Sequence, residues 1–151
     1  HVAYHPGGKL VYVVNEGSSS VTACRIKGET IHPIHTLSTL PADFNERNSC
    51  ADVEVHPSGK FLYCSNRGHD SVAMFAIDDK TGRLTSLGQE HTEKVPRSFN
   101  VDPTGKFLVA AGLRANKLTV FRIDPGTGKL KPLKTYDVGK GPTWVQILKQ
   151  D

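Results

Sequence analysis

The 151-residue sequence carries 19 Lys and Arg against 15 Asp and Glu, a net charge of +4, and 37% of its residues are hydrophobic. These values are typical of one soluble domain with a modest core, and no apolar run is long enough for a membrane span. Because the basic residues are scattered singly and aromatic residues make up only 7%, the composition disfavours a nucleic-acid partner.

The cysteines give a prediction about the cellular compartment. Cys24, Cys50 and Cys64 are an odd number and lack CxxC spacing, so they predict neither a disulfide framework nor a zinc site. No charged start followed by an apolar stretch indicates export. We therefore predict a cytoplasmic protein.

The predicted elements repeat at spacings of 51 and 46 residues, measured between Pro6, Pro57 and Pro103. Each repeat has a short alternating strand, a [His/Asp]-Pro-x-Gly-Lys turn, an apolar strand, a polar turn and a Val-x-x-[Cys/Phe]-x-Ile strand. A Gly-containing turn then leads into a fourth strand. Proline presets one φ angle and glycine supplies a positive one, so these turns have a physical basis. Four strands per repeat predict an all-β propeller, with blades over about 1–40, 50–92 and 96–137.

A thirteenth strand is predicted over 142–149, since Gly141 to Ile147 matches Val95 to Val101. We expect Trp144 to pack within this closing inner strand. Its partner strands are missing here, and closed propellers usually need at least four blades. The sequence therefore predicts a piece of a longer chain, with self-assembly of several three-blade copies into a ring as the alternative.

Several motifs together resemble the propeller-type 6-phosphogluconolactonase family, also called the lactonase or cycloisomerase-2 family. They are HVAYHP, YVVNE, CAD, SNRGHDS, PRSFNVDPTGKFLVAA and VGKGPTWV, and the resemblance extends over essentially the whole chain. It implies the C-terminal three blades of a seven-bladed propeller. The family's usual Arg-His pair is represented here only by its histidine, His1. The resemblance also implies an active site at one mouth of the central channel, with a glutamate, arginines and a histidine and with neither metal nor organic cofactor.

Glu16 and Arg67 are the main catalytic candidates. Asn15-Glu16-Gly17 aligns with Asn66-Arg67-Gly68 one blade later, so the second strand delivers a charged residue to the same rim in neighbouring blades. A carboxylate can take a proton from attacking water, while a guanidinium neutralises an oxyanion or grips a phosphate. On pattern alone, plain hairpin-turn chemistry is the alternative; the resemblance assigns both residues to the site.

Further candidates lie near the starts of inner strands and in the SNRGHDS motif. Arg97 is expected to bind phosphate or carboxylate at the channel mouth, an ion pair with Glu93 being the alternative. His1 is expected to assist proton transfer or bind the lactone oxygen, and Asp52, which aligns with it, to orient an arginine. Substrate-binding candidates from the motif are Asn66 and His69, although a histidine at a hairpin tip is commonly solvated.

The resemblance implies a small anionic lactone as substrate. The leading hypothesis is hydrolysis of 6-phosphogluconolactone, a step of the pentose phosphate pathway. The second is a carboxymuconate-type lactonizing cycloisomerase, in which the same carboxylate moves a proton to carbon. The third is a propeller that binds partners without catalysis, since propeller folds serve either role.

Overall fold

The computed structural model describes residues 1–149, in which every regular element is a β-strand and no helix is long and apolar enough to cross a membrane. The strands, in chain order, are β1 (Val2–Tyr4), β2 (Leu10–Asn15), β3 (Ser20–Lys27), β4 (Thr30–Ser38), β5 (Cys50–Val55), β6 (Phe61–Asn66), β7 (Ser71–Ile77), β8 (Leu84–His91), β9 (Pro96–Val101), β10 (Phe107–Gly112), β11 (Lys117–Ile123) and β12 (Leu130–Asp137).

The strands form three four-stranded antiparallel sheets, each a meander in chain order. The first strand of each sheet lies innermost, because β5 contacts both β1 and β9. These sheets are the predicted blades, and they confirm the predicted all-β propeller class. We call them blades 1, 2 and 3.

Blade 2 lies in the middle and is buried on both faces. Every residue of β6 is buried, although successive side chains of a strand point to opposite faces. Leu62 and Cys64 join the core shared with blade 1, whereas Phe61 and Tyr63 join the core shared with blade 3. The apolar run in β6 therefore reflects a strand packed between two neighbouring blades.

Turn histidines tie each blade to the next. His5 Nε2 donates to the carbonyl of Gly59 at 3.0 Å, and His56 Nε2 donates to the carbonyl of Gly105 at 2.8 Å. Both histidines begin the His-Pro-x-Gly turns of their repeats. The same contact thus recurs between successive blades and has a structural role. Both histidines lie at the rim opposite Glu16 and Arg67.

Two carboxylates of β5 hold the neighbouring inner strand. Asp52 Oδ2 accepts the Phe99 N–H at 3.2 Å, and Glu54 Oε2 accepts the Val101 N–H at 2.7 Å. Glu54 Oε1 also accepts from Asn100 Nδ2 at 2.5 Å. These side chains replace the backbone ladder that β5 and β9 do not form, so they set the register between blades 2 and 3.

Glu54 is expected to make stability fall as pH rises. Burial raises the pKa of Glu54 from 4.5 to about 6, against the opposing effect of its hydrogen bonds to Val101 and Asn100. A carboxyl whose pKa is raised in the folded state contributes stability below its unfolded pKa, and that contribution is lost as pH rises through the folded pKa. Between about pH 4 and pH 7 the loss should reach roughly 2 kcal/mol.

The measurement is the free energy of unfolding of wild type and Glu54→Gln across this pH range. Subtracting the two curves removes every other titrating group, so their difference should shrink by that amount. Parallel curves would contradict the assignment.

The predicted thirteenth strand is not a β-strand in the structure. Within the described residues, 142–149 makes no ladder; instead Ser98 Oγ accepts the Val145 N–H at 3.1 Å and Asn100 Oδ1 accepts the Ile147 N–H at 2.7 Å. A strand requires a ladder partner, and the segment has only these side-chain anchors. That it completes a further blade stays a prediction.

Candidate active site

Glu16 and Arg67 meet at one rim of the blades. Each follows the last residue of the second strand of its blade, and Arg67 Nη2 donates to Glu16 Oε1 in an ion pair between blades 1 and 2. Arg67 Nη2 also donates to the carbonyl of Cys50 at 2.8 Å. The Arg67 side chain is only 17% exposed, whereas that of Glu16 is 68% exposed. The structure therefore gives a fixed guanidinium beside an accessible carboxylate.

The start of β5 brings these two turns together. The Cys50 N–H donates to the carbonyl of Glu16 at 3.1 Å, and the Arg67 N–H donates to the carbonyl of Ser49 at 2.9 Å. Each turn is thus bonded through its backbone to the same two-residue stretch. The pairing of the two charges follows from main-chain geometry as well as from charge attraction.

Asn66, the residue before Arg67, lies in the interior and does not line the cavity. It is fully buried, with Nδ2 donating to the carbonyl of Thr39 at 3.0 Å and to Ser71 Oγ at 3.2 Å. Its Oδ1 accepts from Thr39 Oγ1 at 2.7 Å and from Asn48 Nδ2 at 3.2 Å. Both ends of the amide are hydrogen-bonded inside the protein and Asn66 does not line the cavity, so its substrate contact stays a prediction that this geometry does not favour.

Gly68 provides the close approach that this turn needs. Its N–H donates to Asn48 Oδ1 at 2.8 Å, and a Cβ there would overlap the backbone carbonyl oxygen of Arg47 and lie 2.9 Å from Asn48 Cα. The equivalent Gly17 of blade 1 has nothing within 4 Å of an added Cβ. Gly17 is therefore the control position for a substitution at Gly68.

Gly68→Ala is expected to lower the free energy of unfolding by roughly 1–3 kcal/mol, because a rigid backbone must move away from the new methyl group. Gly17→Ala, the control, should stay within about 0.5 kcal/mol of wild type. Denaturant unfolding of both variants measures the difference. Equal stabilities would show that the turn around Arg67 yields easily.

The partner of Asp52 in the structure is His1 and not an arginine. His1 Nδ1 and Asp52 Oδ1 are 2.9 Å apart, and the Asp52 side chain is 11% exposed. Burial raises the pKa of Asp52, against the opposing effect of the N–H groups of Phe99 and Val53 that it accepts. Among residues 1–149 Asp52 thus pairs with His1 and not with an arginine, and it also bonds the strand that carries Arg97. That Asp52 orients an arginine stays a prediction.

A cavity of about 140 Å³ is lined by most of the site residues that the sequence predicted. Arg97 is exposed, lines this cavity and takes part in none of the three ion pairs found within residues 1–149, so the alternative pairing with Glu93 does not occur there. The lining residues are His1, Val14, Glu16, Ala51, Arg67, Arg97, Ser98, Thr143 and Trp144. Four of the seven predicted site residues thus share one cavity.

His69 lies outside this cavity. Its ring packs edge-on against Phe44, with centroids 4.8 Å apart, and lies 4.9 Å from the ring of His91. Burial, followed by the nearby His91, lowers the pKa of His69. The backbone N–H of His69 donates to Asn48 Oδ1, so His69 packs against the loop that leads to the site. His69 therefore packs against its neighbours in the structure, and its substrate contact stays a prediction.

Thr143 and Trp144 line the cavity without having been predicted as site residues. The sequence held the signal, because the match between 141–147 and 95–101 aligns Thr143 with Arg97 and Trp144 with Ser98. Trp144 was expected to be packed, but it is 69% exposed. Within residues 1–149 the segment is bound to blade 3 through two backbone N–H groups, and little packs against the indole ring.

Within residues 1–149, no group of three or more His, Cys, Asp or Glu side chains is placed to hold a metal ion. The cavity instead presents one carboxylate, two guanidiniums and one imidazole. Such a set can bind an anion and move a proton. Fold and cavity together define a β-propeller with a polar, enzyme-like site at one rim.

The chain belongs to the lactonase family of seven-bladed β-propellers, whose pattern its residues 1–147 match. It is 39% identical over 153 residues to a 6-phosphogluconolactonase of Pectobacterium carotovorum, covering 100% of this chain and 46% of the relative. It is 43% identical over 150 residues to one of Yersinia pseudotuberculosis, covering 97% and 45%. The chain thus spans about half the length of these curated relatives.

Solved structures agree. A protein from Lactobacillus plantarum superimposes with a TM-score of 0.93 at 30% identity, covering 99% of this chain and 44% of that one. A periplasmic gluconolactonase from Pseudomonas aeruginosa superimposes with a TM-score of 0.88 at 28% identity, covering 93% and 40%. The three blades described here therefore superimpose on part of each of these longer chains.

Proposed function

We propose that the full-length protein hydrolyses a sugar lactone, with 6-phosphogluconolactone as the first candidate. The observation that carries this proposal is the Arg67–Glu16 ion pair, which shares a cavity with His1 and Arg97. The names of the relatives from Pectobacterium and Yersinia support the choice of a phosphorylated lactone. The pentose phosphate pathway would then consume the product.

In the proposed reaction, Glu16 acts as the general base. Its exposed carboxylate takes a proton from water as the water oxygen attacks the lactone carbonyl carbon. The tetrahedral intermediate then collapses with cleavage of the ring C–O bond, and the proton passes to the departing ring oxygen. Water adds across the ester bond, so the product is the open hydroxy acid.

Two arginines and one histidine divide the remaining tasks. Arg67 is held rigidly enough to stabilise the oxyanion as it forms, which is worth most where the donor is preorganised. Arg97, exposed and without a carboxylate partner among residues 1–149, suits the substrate phosphate. His1, which makes a hydrogen bond with Asp52, binds the lactone oxygen or passes a proton to the departing ring oxygen in this proposal.

The proposed compartment is the cytoplasm. The three cysteines Cys24, Cys50 and Cys64 are all free and buried, which supports a reducing environment. The periplasmic Pseudomonas relative makes the periplasm the alternative. Cell fractionation of the host separates the two.

A substrate panel tests the function. The full-length protein is incubated with 6-phosphogluconolactone, with unphosphorylated gluconolactone and with a carboxymuconate lactone, and loss of each lactone is followed above its spontaneous rate. The proposal expects the highest kcat/KM for 6-phosphogluconolactone. Preference for the carboxymuconate lactone would favour a cycloisomerase, and no turnover of any lactone would favour a binding propeller.

A further inference from the structure

We propose that Trp144 is the platform on which the substrate ring lies, which makes it a binding residue of the site. This inference rests on the proposed function and adds the shape of ligand that the cavity accepts. Such a ligand has an apolar face for the indole ring and polar groups at its edge for the charged side chains. A six-membered sugar lactone has this form.

The first argument is the position of Trp144. It lines the same cavity as Glu16, Arg67 and Arg97. Indole rings contribute most when they bury their large apolar area, and an aromatic side chain beside a few polar groups is typical of a ligand site. Trp144 supplies the apolar surface that the other three side chains lack.

The second argument is that the backbone of this segment is fixed. Ser98 Oγ accepts the N–H of Val145, the residue next to Trp144, and Asn100 Oδ1 accepts the N–H of Ile147. Both hydrogen bonds join residues 47 positions apart, as do the two from the β5 carboxylates to β9. The segment therefore lies in the register of a next inner strand.

This register places Trp144 where earlier inner strands place site residues. Position for position, Trp144 follows Ser98, Asp52 and His1 in the repeat. Ser98 and His1 line the cavity, and Asp52 makes a hydrogen bond with His1. The backbone that carries the indole is thus preorganised at the rim. Preorganisation matters because a ring that is already in place costs less to bind against.

The third argument is a contrast within the segment. Leu148 is as exposed as Trp144, at 72%, but does not line the cavity. It shares the same stretch of chain and the same anchors. Leu148→Ala is therefore the matched control for any effect of the segment as a whole.

Steady-state kinetics of full-length variants give the first test. Trp144→Ala should raise KM for 6-phosphogluconolactone roughly tenfold with little change in kcat, whereas Trp144→Phe should keep KM within about threefold of wild type. Leu148→Ala should match wild type. Unchanged KM in Trp144→Ala, with wild type active, would overturn the platform and leave the proposed function standing; no turnover by wild type would overturn both.

Fluorescence gives a second test that needs no truncated side chain. Trp144 is the only tryptophan among these 151 residues, and Trp144→Phe supplies the background from the rest of the protein. Saturating wild type with 6-phosphogluconate, the stable product, should change the difference spectrum with a hyperbolic dependence on concentration. A flat difference spectrum at concentrations that inhibit hydrolysis would overturn the inference.

Discussion

Glu16→Gln is expected to lower kcat for 6-phosphogluconolactone hydrolysis by roughly 100- to 10,000-fold, the range that a positioned general base contributes. Glutamine keeps the size of the side chain and still accepts a hydrogen bond from Arg67, so the cavity should keep its shape. What it loses is the ability to take a proton from water. KM should therefore change much less than kcat.

The control is Glu29→Gln, which removes a carboxylate from an exposed turn of blade 1 outside the cavity. It should keep the wild-type rate. Both variants should unfold at the same denaturant concentration as wild type, since Glu16 is mostly exposed. Full activity in Glu16→Gln would remove this carboxylate from the mechanism.

Arg67→Met is expected to lower kcat/KM by roughly 100- to 1,000-fold, the usual cost of losing a preorganised donor to an oxyanion. Methionine fills similar space but leaves the Cys50 carbonyl and the Glu16 carboxylate without the guanidinium that now joins them. Arg67→Lys should recover part of the loss, because it restores charge without the planar fork.

The matched control is Arg83→Met, which removes an exposed arginine from a turn outside the cavity. It should leave kcat/KM within about twofold of wild type. Circular dichroism of each variant establishes that the blades remain folded. Equal losses in Arg67→Met and Arg83→Met would show that net charge, not the position of Arg67, governs activity.

The sequence predicted that Glu16 and Arg67 lie close together, because residues at equivalent positions of neighbouring repeats occupy equivalent positions in neighbouring blades. Equivalent turns in neighbouring blades must lie side by side once the blades stack. The same reasoning placed His1 and Arg97 at the rim. None of these placements required knowledge of side-chain contacts.

Asn66 and His69 show where this reasoning stops. Their partners, Thr39, Asn48 and Phe44, lie in the connection between β4 and β5, for which the repeat offers no template. The local sequence does not show whether an asparagine amide is buried or faces solvent. The fold of that connection supplies the partners of both residues, and neither residue lines the cavity.

The segment 142–149 shows a different limit. Its match to 95–101 predicted an inner strand, and in the structure the segment bonds to Ser98 and Asn100 of β9 without forming a ladder. Strand structure depends on ladder partners that residues 1–149 do not supply. Trp144 was assigned to packing because tryptophan is usually well buried. Exposure is a property of the neighbours, which the local sequence does not contain.

A double-mutant cycle on the full-length protein tests most directly whether Glu16 and Arg67 form one catalytic unit. Wild type, Glu16→Gln, Arg67→Met and the double variant are compared by their kcat/KM for 6-phosphogluconolactone. Residues that act as a unit are strongly non-additive, so the double variant should be about as slow as the slower single variant. Losses that multiply independently, or singles that keep the wild-type rate, would contradict a shared site.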